Sequence, residues 1–220
     1  MLSHLRPAIV MIVLFTALTG IAYPLAITGI AQVALKGPAD GSLVTRDGTV
    51  VGSSLIGQNF ATDRYFQGRP SATSAADPKD SSKTIDAPYN AANSTGSNLG
   101  PTSQKLLDRV KASVAALGGS PQKPVPADAV TTSASGLDPD ISSAYATLQV
   151  ARVAAARNVP ADKLQALVDA GTSSVFGDKI VNVLALNLEL DRVAPVPAPA
   201  AAAPGAGAPA QAAGSAKVGG

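Results

Sequence analysis

Between Pro7 and Leu35 the chain contains no acidic or basic side chain, and Ala, Ile, Leu, Val and Phe predominate. A helix that spans a bilayer needs roughly 20 such residues, so this run is long enough to cross a membrane. The rival interpretation is a cleaved signal peptide, with Arg6 before the apolar run and a small-x-small cleavage site at residues 20–22. Because the apolar run continues well past that site, an uncleaved anchor is favoured.

Basic residues flank both ends of the run, with His4 and Arg6 before it and Lys36 and Arg46 after it. The positive-inside rule therefore gives only a weak bias. We expect a single-pass membrane protein, with its N-terminus in the cytoplasm and its domain outside the cytoplasm. The predicted division is a membrane anchor over residues 1–36, an extracytoplasmic domain over 37–193 and a tail over 194–220.

Within the span, Thr16 and Gly20 lie four residues apart and give one face small side chains, on which a partner helix could pack closely. Pro24 predicts a kink or a change of helical register. The alternative is that these residues are ordinary in membrane helices. No charged group lies at membrane depth, so this helix is a poor candidate for an ion path.

Composition excludes several classes of site. The 220 residues include no Cys and one His, which removes disulfides, cysteine-based zinc sites and thiol nucleophiles. No metal site is expected. A net charge of +2 is too small to indicate nucleic-acid binding.

The part after Lys36 predicts an α+β domain. Arg46-Asp47-Gly48 separates two short runs of branched residues, and Asp-Gly supplies the positive-φ positions of a hairpin turn. Residues 55–60 are predicted as a further strand. Residues 71–97, rich in Ser, Ala, Asp and Asn, are predicted as an extended loop.

Three helices follow in the predicted domain. The first begins near Pro101 and ends at Gly118-Gly119, and the second begins at Asp138-Pro139 and ends at Val159-Pro160. A third, short helix ends at Gly171.

The end of the domain is ambiguous. Residues 180–190 alternate as in a strand, whereas Asn182 suits a helix cap, so both interpretations stay open. Beyond Val193 the chain is almost entirely Ala, Pro and Gly, a composition that predicts a disordered tail.

Candidate chemistry in the predicted domain is sparse. The turn formed by Gly96, Ser97, Asn98, Leu99 and Gly100 precedes a predicted helix, so its amides could bind an anion. A simple capped turn is the favoured explanation, because no P-loop with its lysine is present. Ser-Lys pairs near Lys83 and Lys105 are explained as solvated surface residues. The carboxylates of Asp138 and Asp140 are explained as helix N-terminal acids.

Several characteristic stretches follow one another in a fixed order: residues 14–25, 52–58, 65–72, 88–92, 96–101, 135–139, 149–154 and 181–188. Together they resemble the KdpC family, the C subunit of the Kdp potassium-transporting ATPase, and the resemblance extends from about Arg6 to Asp191.

The resemblance implies an accessory, non-pumping subunit of a high-affinity, ATP-driven potassium import complex in the bacterial inner membrane, with the domain in the periplasm. Its partners would be a P-type ATPase catalytic subunit and a potassium-channel-like subunit, embedded in membrane lipid. The chain contains no Asp-Lys-Thr-Gly-Thr phosphorylation motif, so no enzymatic activity of its own is expected. The alternative is a free-standing anchored or secreted anion-binding protein.

The family is also described as a catalytic chaperone that raises the ATP affinity of the catalytic subunit, and Gln149 matches the proposed nucleotide contact. No cofactor of its own is implied, and ATP would enter only through the complex. An extracytoplasmic domain does not meet cytosolic ATP, so assembly and stabilisation are favoured over direct nucleotide binding. The chain departs from the family pattern at Ala170-Gly171-Thr172, where a His-Thr pair is usual, and at Ser143, where a Pro is usual.

Overall fold

The computed structural model describes residues 2–195. After a 3₁₀ turn at Leu2–His4, one apolar helix extends over Leu5–Ala34 and is long and apolar enough to cross a membrane. It consists of α1 (Leu5–Ala17), a π-helical turn (Leu18–Ala22) and α2 (Tyr23–Ala34). At about 1.5 Å per residue its length is roughly 45 Å, more than the hydrocarbon core of a bilayer.

The π-helical turn ends at Ala22, two residues before Pro24. A proline ring in a regular helix clashes with the carbonyl four residues earlier, here that of Gly20, and has no N–H to donate. The structure avoids the clash by widening one turn, in which the Tyr23 N–H donates to the Leu18 carbonyl five residues back. The predicted change of register at Pro24 is confirmed.

A short helix, α3 (Lys36–Ala39), leads into an antiparallel hairpin of β1 (Leu43–Arg46) and β2 (Thr49–Ser53). The predicted hairpin is confirmed, with Asp47 and Gly48 at φ 51° and 77°. The strand predicted over residues 55–60 is wrong. Only Ile56 makes an isolated bridge, and buried Gly57 instead donates its N–H to the carbonyl of Leu137 at 2.8 Å.

The prediction of a loop over residues 71–97 is wrong in part, because a second hairpin lies inside it. Its strands are β3 (Ser74–Asp77) and β4 (Asp80–Asp86). Nearly every side chain of β4 is exposed, so the strand has no apolar alternation by which the sequence could reveal it.

Four helices form the middle of the domain: α4 (Gln104–Ala116), α5 (Ala127–Val130), α6 (Ser143–Arg157) and α7 (Ala161–Ala170). Two predicted starts are corrected. Helix α4 begins after Ser103, whose hydroxyl accepts the Leu106 N–H, rather than at Pro101. Asp138-Pro139 leads into β5 (Asp140–Ser142), and α6 begins only after the Ser142 cap.

Both interpretations of residues 180–190 are correct in part. Strand β6 (Thr172–Val175) pairs with β7 (Asp178–Asn182), and helix α8 (Val183–Val193) follows at once. The switch occurs at Asn182, whose side chain caps α8 by accepting the Ala185 N–H. The antiparallel sheet has the order β5-β7-β6.

The core lies where α6, α7 and α8 meet the central strand β7 and a single buried phenylalanine, Phe66. Its fully buried large side chains are Phe66, Ile141, Val153, Leu164, Val168, Val181 and Leu190. The domain is therefore mixed α/β, as predicted. The predicted disordered tail lies outside the described residues except for Ala194 and Pro195.

Candidate functional site

Residues 65–71 form a segment that makes hydrogen bonds to most of the stretches that carry the family resemblance. Phe66 inserts its ring into the core, and both of its backbone groups pair with one buried amide. The Phe66 N–H donates to Asn187 Oδ1 at 2.9 Å, and Asn187 Nδ2 donates to the Phe66 carbonyl at 2.9 Å. The side-chain amide of Asn187 on α8 thus makes the two backbone hydrogen bonds that a neighbouring β-strand would otherwise supply to Phe66.

Gln149 holds the next residue of the segment in the same manner. The Gln67 N–H donates to Gln149 Oε1 at 2.8 Å, and Gln149 Nε2 donates to the Gln67 carbonyl at 3.0 Å. Arg152 also donates to Gln149 Oε1, at 2.6 Å. Only 4% of Gln149 is exposed, so its polar atoms are engaged within the domain. We call Gln149 and Asn187 the amide pair.

Tyr89 supports segment 65–71 from the other side. Its hydroxyl donates to the Arg69 carbonyl at 2.7 Å, and burial, reinforced by the negative charge of Asp138, raises the pKa of Tyr89 to about 12. The ring passes close to two glycines. A Cβ at Gly57 would lie 2.5 Å from a ring carbon of Tyr89, and one at Gly68 would collide with the hydroxyl.

Hydroxyl groups fix the end of segment 65–71. Ser71 Oγ donates to the Gly136 carbonyl at 2.8 Å and accepts the Tyr89 N–H at 3.1 Å. Thr73 Oγ1 donates to the Ala87 carbonyl at 2.6 Å. The loop before α4 and the loop before β5 are therefore tied to one segment.

Ionic contacts hold the start of the same segment. Arg157, with 3% of its side chain exposed, donates to Asp191 Oδ1 at 2.7 Å and lies 4.5 Å above the ring of Tyr65. The Tyr65 hydroxyl and Arg46 of the first hairpin both donate to Asp191 Oδ2. Since the charge is matched and hydrogen-bonded, this buried ion pair is satisfied.

Two open clefts adjoin Arg69. One, of about 410 Å³, is lined by Arg69, Tyr89 and Tyr145 among others. The other, of about 600 Å³, contains the carboxylates of Asp128, Asp138 and Asp140.

The two carboxylates around Pro139 do not form a free acid and base pair. Asp138 binds Arg69 at 3.0 Å and accepts the Asp140 N–H, while Asp140 accepts from Asn182. Burial raises the pKa of Asp140, an effect opposed by the Asn182 hydrogen bond and reinforced by Asp138. Although three Asp residues line the second of these clefts, within residues 2–195 no group of three or more His, Cys, Asp or Glu side chains is arranged to hold one metal ion.

The Gly96 to Gly100 turn does not lie at the N-terminus of α4, which begins four residues later. Ser97 accepts a hydrogen bond from the Thr132 hydroxyl at 3.1 Å, and Gly96 packs against the backbone of Ala134. Asn98 has φ 51°, and Gly100 is exposed. The expected help from a helix dipole is therefore missing, and anion binding by this turn stays a prediction.

The Ser-Lys pairs serve local structure. Lys83 binds Asp80 at 3.1 Å, and Ser82 donates to the same carboxylate at 2.6 Å. Ser103 caps α4.

The predicted packing face of the membrane helix is exposed in the isolated chain. Gly20 lies inside the π-helical turn, and a Cβ there would be 3.9 Å from the Thr16 methyl group. Thr16, Gly20 and Pro24 therefore occupy the point where the helix changes register. They lie far along the chain from Gln149 and from the Gly96 turn.

Asn187 and Tyr89 were missed as functional candidates by sequence reasoning. Asn187 had one available signal, an amide within the apolar run of residues 183–190. Such a group is buried only when its hydrogen bonds are satisfied, which predicts a structural partner. Tyr89 carries no comparable local signal.

Across residues 2–195, one helix that is long and apolar enough to span a membrane precedes an α/β domain, an arrangement consistent with a membrane location. The chain belongs to the KdpC family: the family model described as "K+-transporting ATPase, c chain" matches residues 5–192. It is similar to the potassium-transporting ATPase KdpC subunits of Methylorubrum populi (58% identical, covering 88% of this chain and 99% of that protein) and Methylobacterium nodulans (60%, covering 88% and 99%). It is also 59% identical to that of Methylorubrum extorquens, covering 86% of this chain and 97% of that protein.

Proposed function

We propose that this chain is an accessory, non-pumping subunit of an ATP-driven potassium import complex. The observation that carries the proposal is the KdpC family match over nearly the whole described chain. Relatives that are matched over 99% of their own length carry the name of a potassium-transporting ATPase subunit. The partners are a P-type ATPase catalytic subunit and a potassium-channel-like subunit.

A division of labour follows from what the chain itself carries. The sequence has no Asp-Lys-Thr-Gly-Thr motif, and a single helix cannot enclose a pore. ATP hydrolysis and ion conduction therefore belong to other subunits. The part left to this chain is to assemble the complex and to stabilise it.

Two features of the chain support an assembly role. The exposed helix face at Thr16 and Gly20 permits close packing of a partner helix, because small side chains let two backbones approach. The domain is rigidly tied together around segment 65–71, so it can present a fixed surface. Its proposed place is the outer face of the pump, with the N-terminus in the cytoplasm.

A nucleotide contact through Gln149 stays a prediction. Both polar atoms of its side chain hold Gln67, and Arg152 approaches the same oxygen. Binding of ATP at Gln149 would therefore require this pairing to open. An indirect effect on ATP affinity, transmitted through assembly of the complex, needs no such opening.

The proposal is tested by purifying the tagged full-length chain in mild detergent and identifying co-purifying proteins by mass spectrometry. We expect a P-type ATPase and a potassium-channel-like subunit in constant proportion to the chain. Protease protection of the domain in intact inside-out vesicles tests the topology. A monomer without either partner, or a domain digested in such vesicles, would contradict the proposal.

A further inference from the structure

The smaller of the two clefts beside Arg69, of about 410 Å³, contains a buried tyrosine whose hydroxyl has no partner in the described part of the chain. This residue is Tyr145 of α6, which is 4% exposed. A buried tyrosine usually places its hydroxyl on a hydrogen-bonding partner, and Tyr65 and Tyr89 of this chain do so. The Tyr145 hydroxyl is therefore free to bind a molecule in the cleft.

Arg69, which lines the same cleft, has a second donor without an acceptor. Its Nη1 donates to Asp138 at 3.0 Å, and its Nη2 donates to the Thr132 carbonyl at 3.5 Å. Its buried Nε–H finds no acceptor among the described residues. A buried donor in this state calls for an explanation, and an acceptor oxygen from outside the chain supplies one.

The other polar side chains that line this cleft can also donate. Gln67 and Ser113 are partly buried, and their side chains form no hydrogen bond with any described residue. Arg69 is the one charged residue among the described residues that line the cleft, because Asp138 lines the other cleft. Several donors beside one cation suit a negatively charged acceptor.

Apolar side chains form much of the remaining lining. Phe60 and Leu117 pack against the hydrophobic core, and two prolines, Pro70 and Pro88, also line the cleft. A pocket of this volume, with apolar walls and a few convergent polar groups, is typical of sites for small molecules. The ligand should therefore combine an apolar body with an acceptor group.

We propose that this cleft binds a small monocarboxylate with an apolar body. Its carboxylate accepts a hydrogen bond from the Tyr145 hydroxyl, close to the guanidinium of Arg69. Its apolar body packs against Phe60 and Leu117. A carboxylate only accepts hydrogen bonds and carries a single charge. One charge fits better than the two of a phosphate, because Asp138 already neutralises part of the charge of Arg69.

The Tyr145 hydroxyl keeps its proton at neutral pH and can donate it to a carboxylate. Burial raises the pKa of Tyr145, an effect opposed by the positive charge of Arg152 and reinforced by the negative charge of Asp128. The cleft is formed by this chain alone. Binding therefore needs no partner subunit, and its failure would leave the proposed function intact.

Isothermal titration calorimetry of the full-length chain in detergent tests the proposal with sodium benzoate, after subtraction of a titration into detergent alone. Benzyl alcohol is the uncharged compound of similar shape. We expect benzoate to bind with a Kd of about 1 mM or below, and benzyl alcohol to bind roughly tenfold more weakly, because hydrogen bonds to a charged group are stronger. No binding of benzoate at about 10 mM, or equal affinity for the two compounds, would overturn the inference.

Tyr145→Phe removes the hydroxyl and keeps the ring in the core. It should weaken benzoate binding roughly tenfold and leave the melting temperature nearly unchanged, because the hydroxyl has no partner among the described residues. Tyr23→Phe, on the membrane helix, is the matched control and should bind benzoate as the natural chain does. Equal affinity of the two variants would overturn the inference.

A second pair of variants tests the location without touching the core. Ala116 is exposed on α4 and lines the cleft, so Ala116→Trp should fill the cleft and abolish benzoate binding. Ala115 is also exposed and does not line the cleft, so Ala115→Trp should leave binding unchanged. Benzoate binding that survives Ala116→Trp would place the site elsewhere and overturn the inference.

Discussion

At the scale of single residues, the domain depends on the amide pair. We predict that Gln149→Ala lowers the free energy of unfolding by about 2–4 kcal/mol, because it leaves the N–H and carbonyl of Gln67 without partners in the interior. Denaturant unfolding of the detergent-solubilised chain measures the change. Gln165→Ala is the control, since that glutamine makes solvent-exposed hydrogen bonds and should cost less than about 0.5 kcal/mol. Equal effects of the two substitutions would contradict the structural role of Gln149.

Tyr89 predicts a loss of stability at alkaline pH. Its pKa is about 12 in the folded chain and 10.0 in the unfolded chain, so its contribution is complete below pH 10 and is lost as the pH rises toward 12. The full effect is about 2 kcal/mol, allowing for partial exposure. Tyr89→Phe should cost about 1 kcal/mol at pH 8 through the lost hydrogen bond, and this deficit should close above about pH 11. Unfolding measured from pH 8 to 11.5 tests this; a deficit that stays constant over that range would refute it.

The residues of the site could be predicted only in part from the sequence. The resemblance singled out Gln149, but its partner is the backbone of Gln67, 82 residues away. Every residue has a similar backbone, so the residue type at position 67 does not reveal this contact. Asn187 pairs with Phe66 across 121 residues. Such contacts are products of the packed fold, so spacing along the chain does not reveal them.

At the scale of elements, Gly57 and Gly68 allow two chain segments to pack closely against the side chain of Tyr89. A Cβ at Gly57 would lie 2.5 Å from the backbone carbonyl oxygen of Asp138, which cannot move aside as a flexible side chain does. We predict that Gly57→Ala destabilises the domain by about 2 kcal/mol or more. Gly100→Ala is the control, because nothing lies within 4 Å of its Cβ position. Thermal unfolding compares the two variants, and an unchanged melting temperature for Gly57→Ala would contradict this close packing.

The membrane helix predicts a contact with a partner helix at Gly20. Gly20→Leu should reduce co-purification of the partner subunits, because a large side chain at the π-helical turn holds the two backbones apart. Gly29→Leu, in the same apolar span, should not. Quantitative mass spectrometry of detergent eluates checks both variants, and equal recovery from both would argue against this packing face.

Elements with a strong local signal were predictable, and the others were not. The Asp47-Gly48 turn and Gly118 after α4 mark the ends of their elements through positive φ values that few residues adopt. The hairpin of β3 and β4 has no buried face, and β5 is three residues long, so neither gives a periodic pattern. At Asn182 the strand pattern and the helix pattern overlap, because the last residue of β7 is also the N-cap of α8.

At the scale of the whole molecule, the anchor and the α/β class follow from composition and pattern. The contacts through which segment 65–71 connects the hairpins to α6 and α8 do not follow from composition or pattern. The described chain consists of one α/β domain and one apolar helix with an exposed face. Neither part supplies a pore or a phosphorylation motif.

The most direct test is potassium-stimulated ATPase activity of the complex purified with and without this chain. The account predicts that the other subunits yield little stimulated activity without it, that co-expression of the full chain restores the activity, and that the purified chain alone hydrolyses no ATP. Full stimulated activity in its absence, or ATP hydrolysis by the chain alone, would contradict an accessory, non-pumping role.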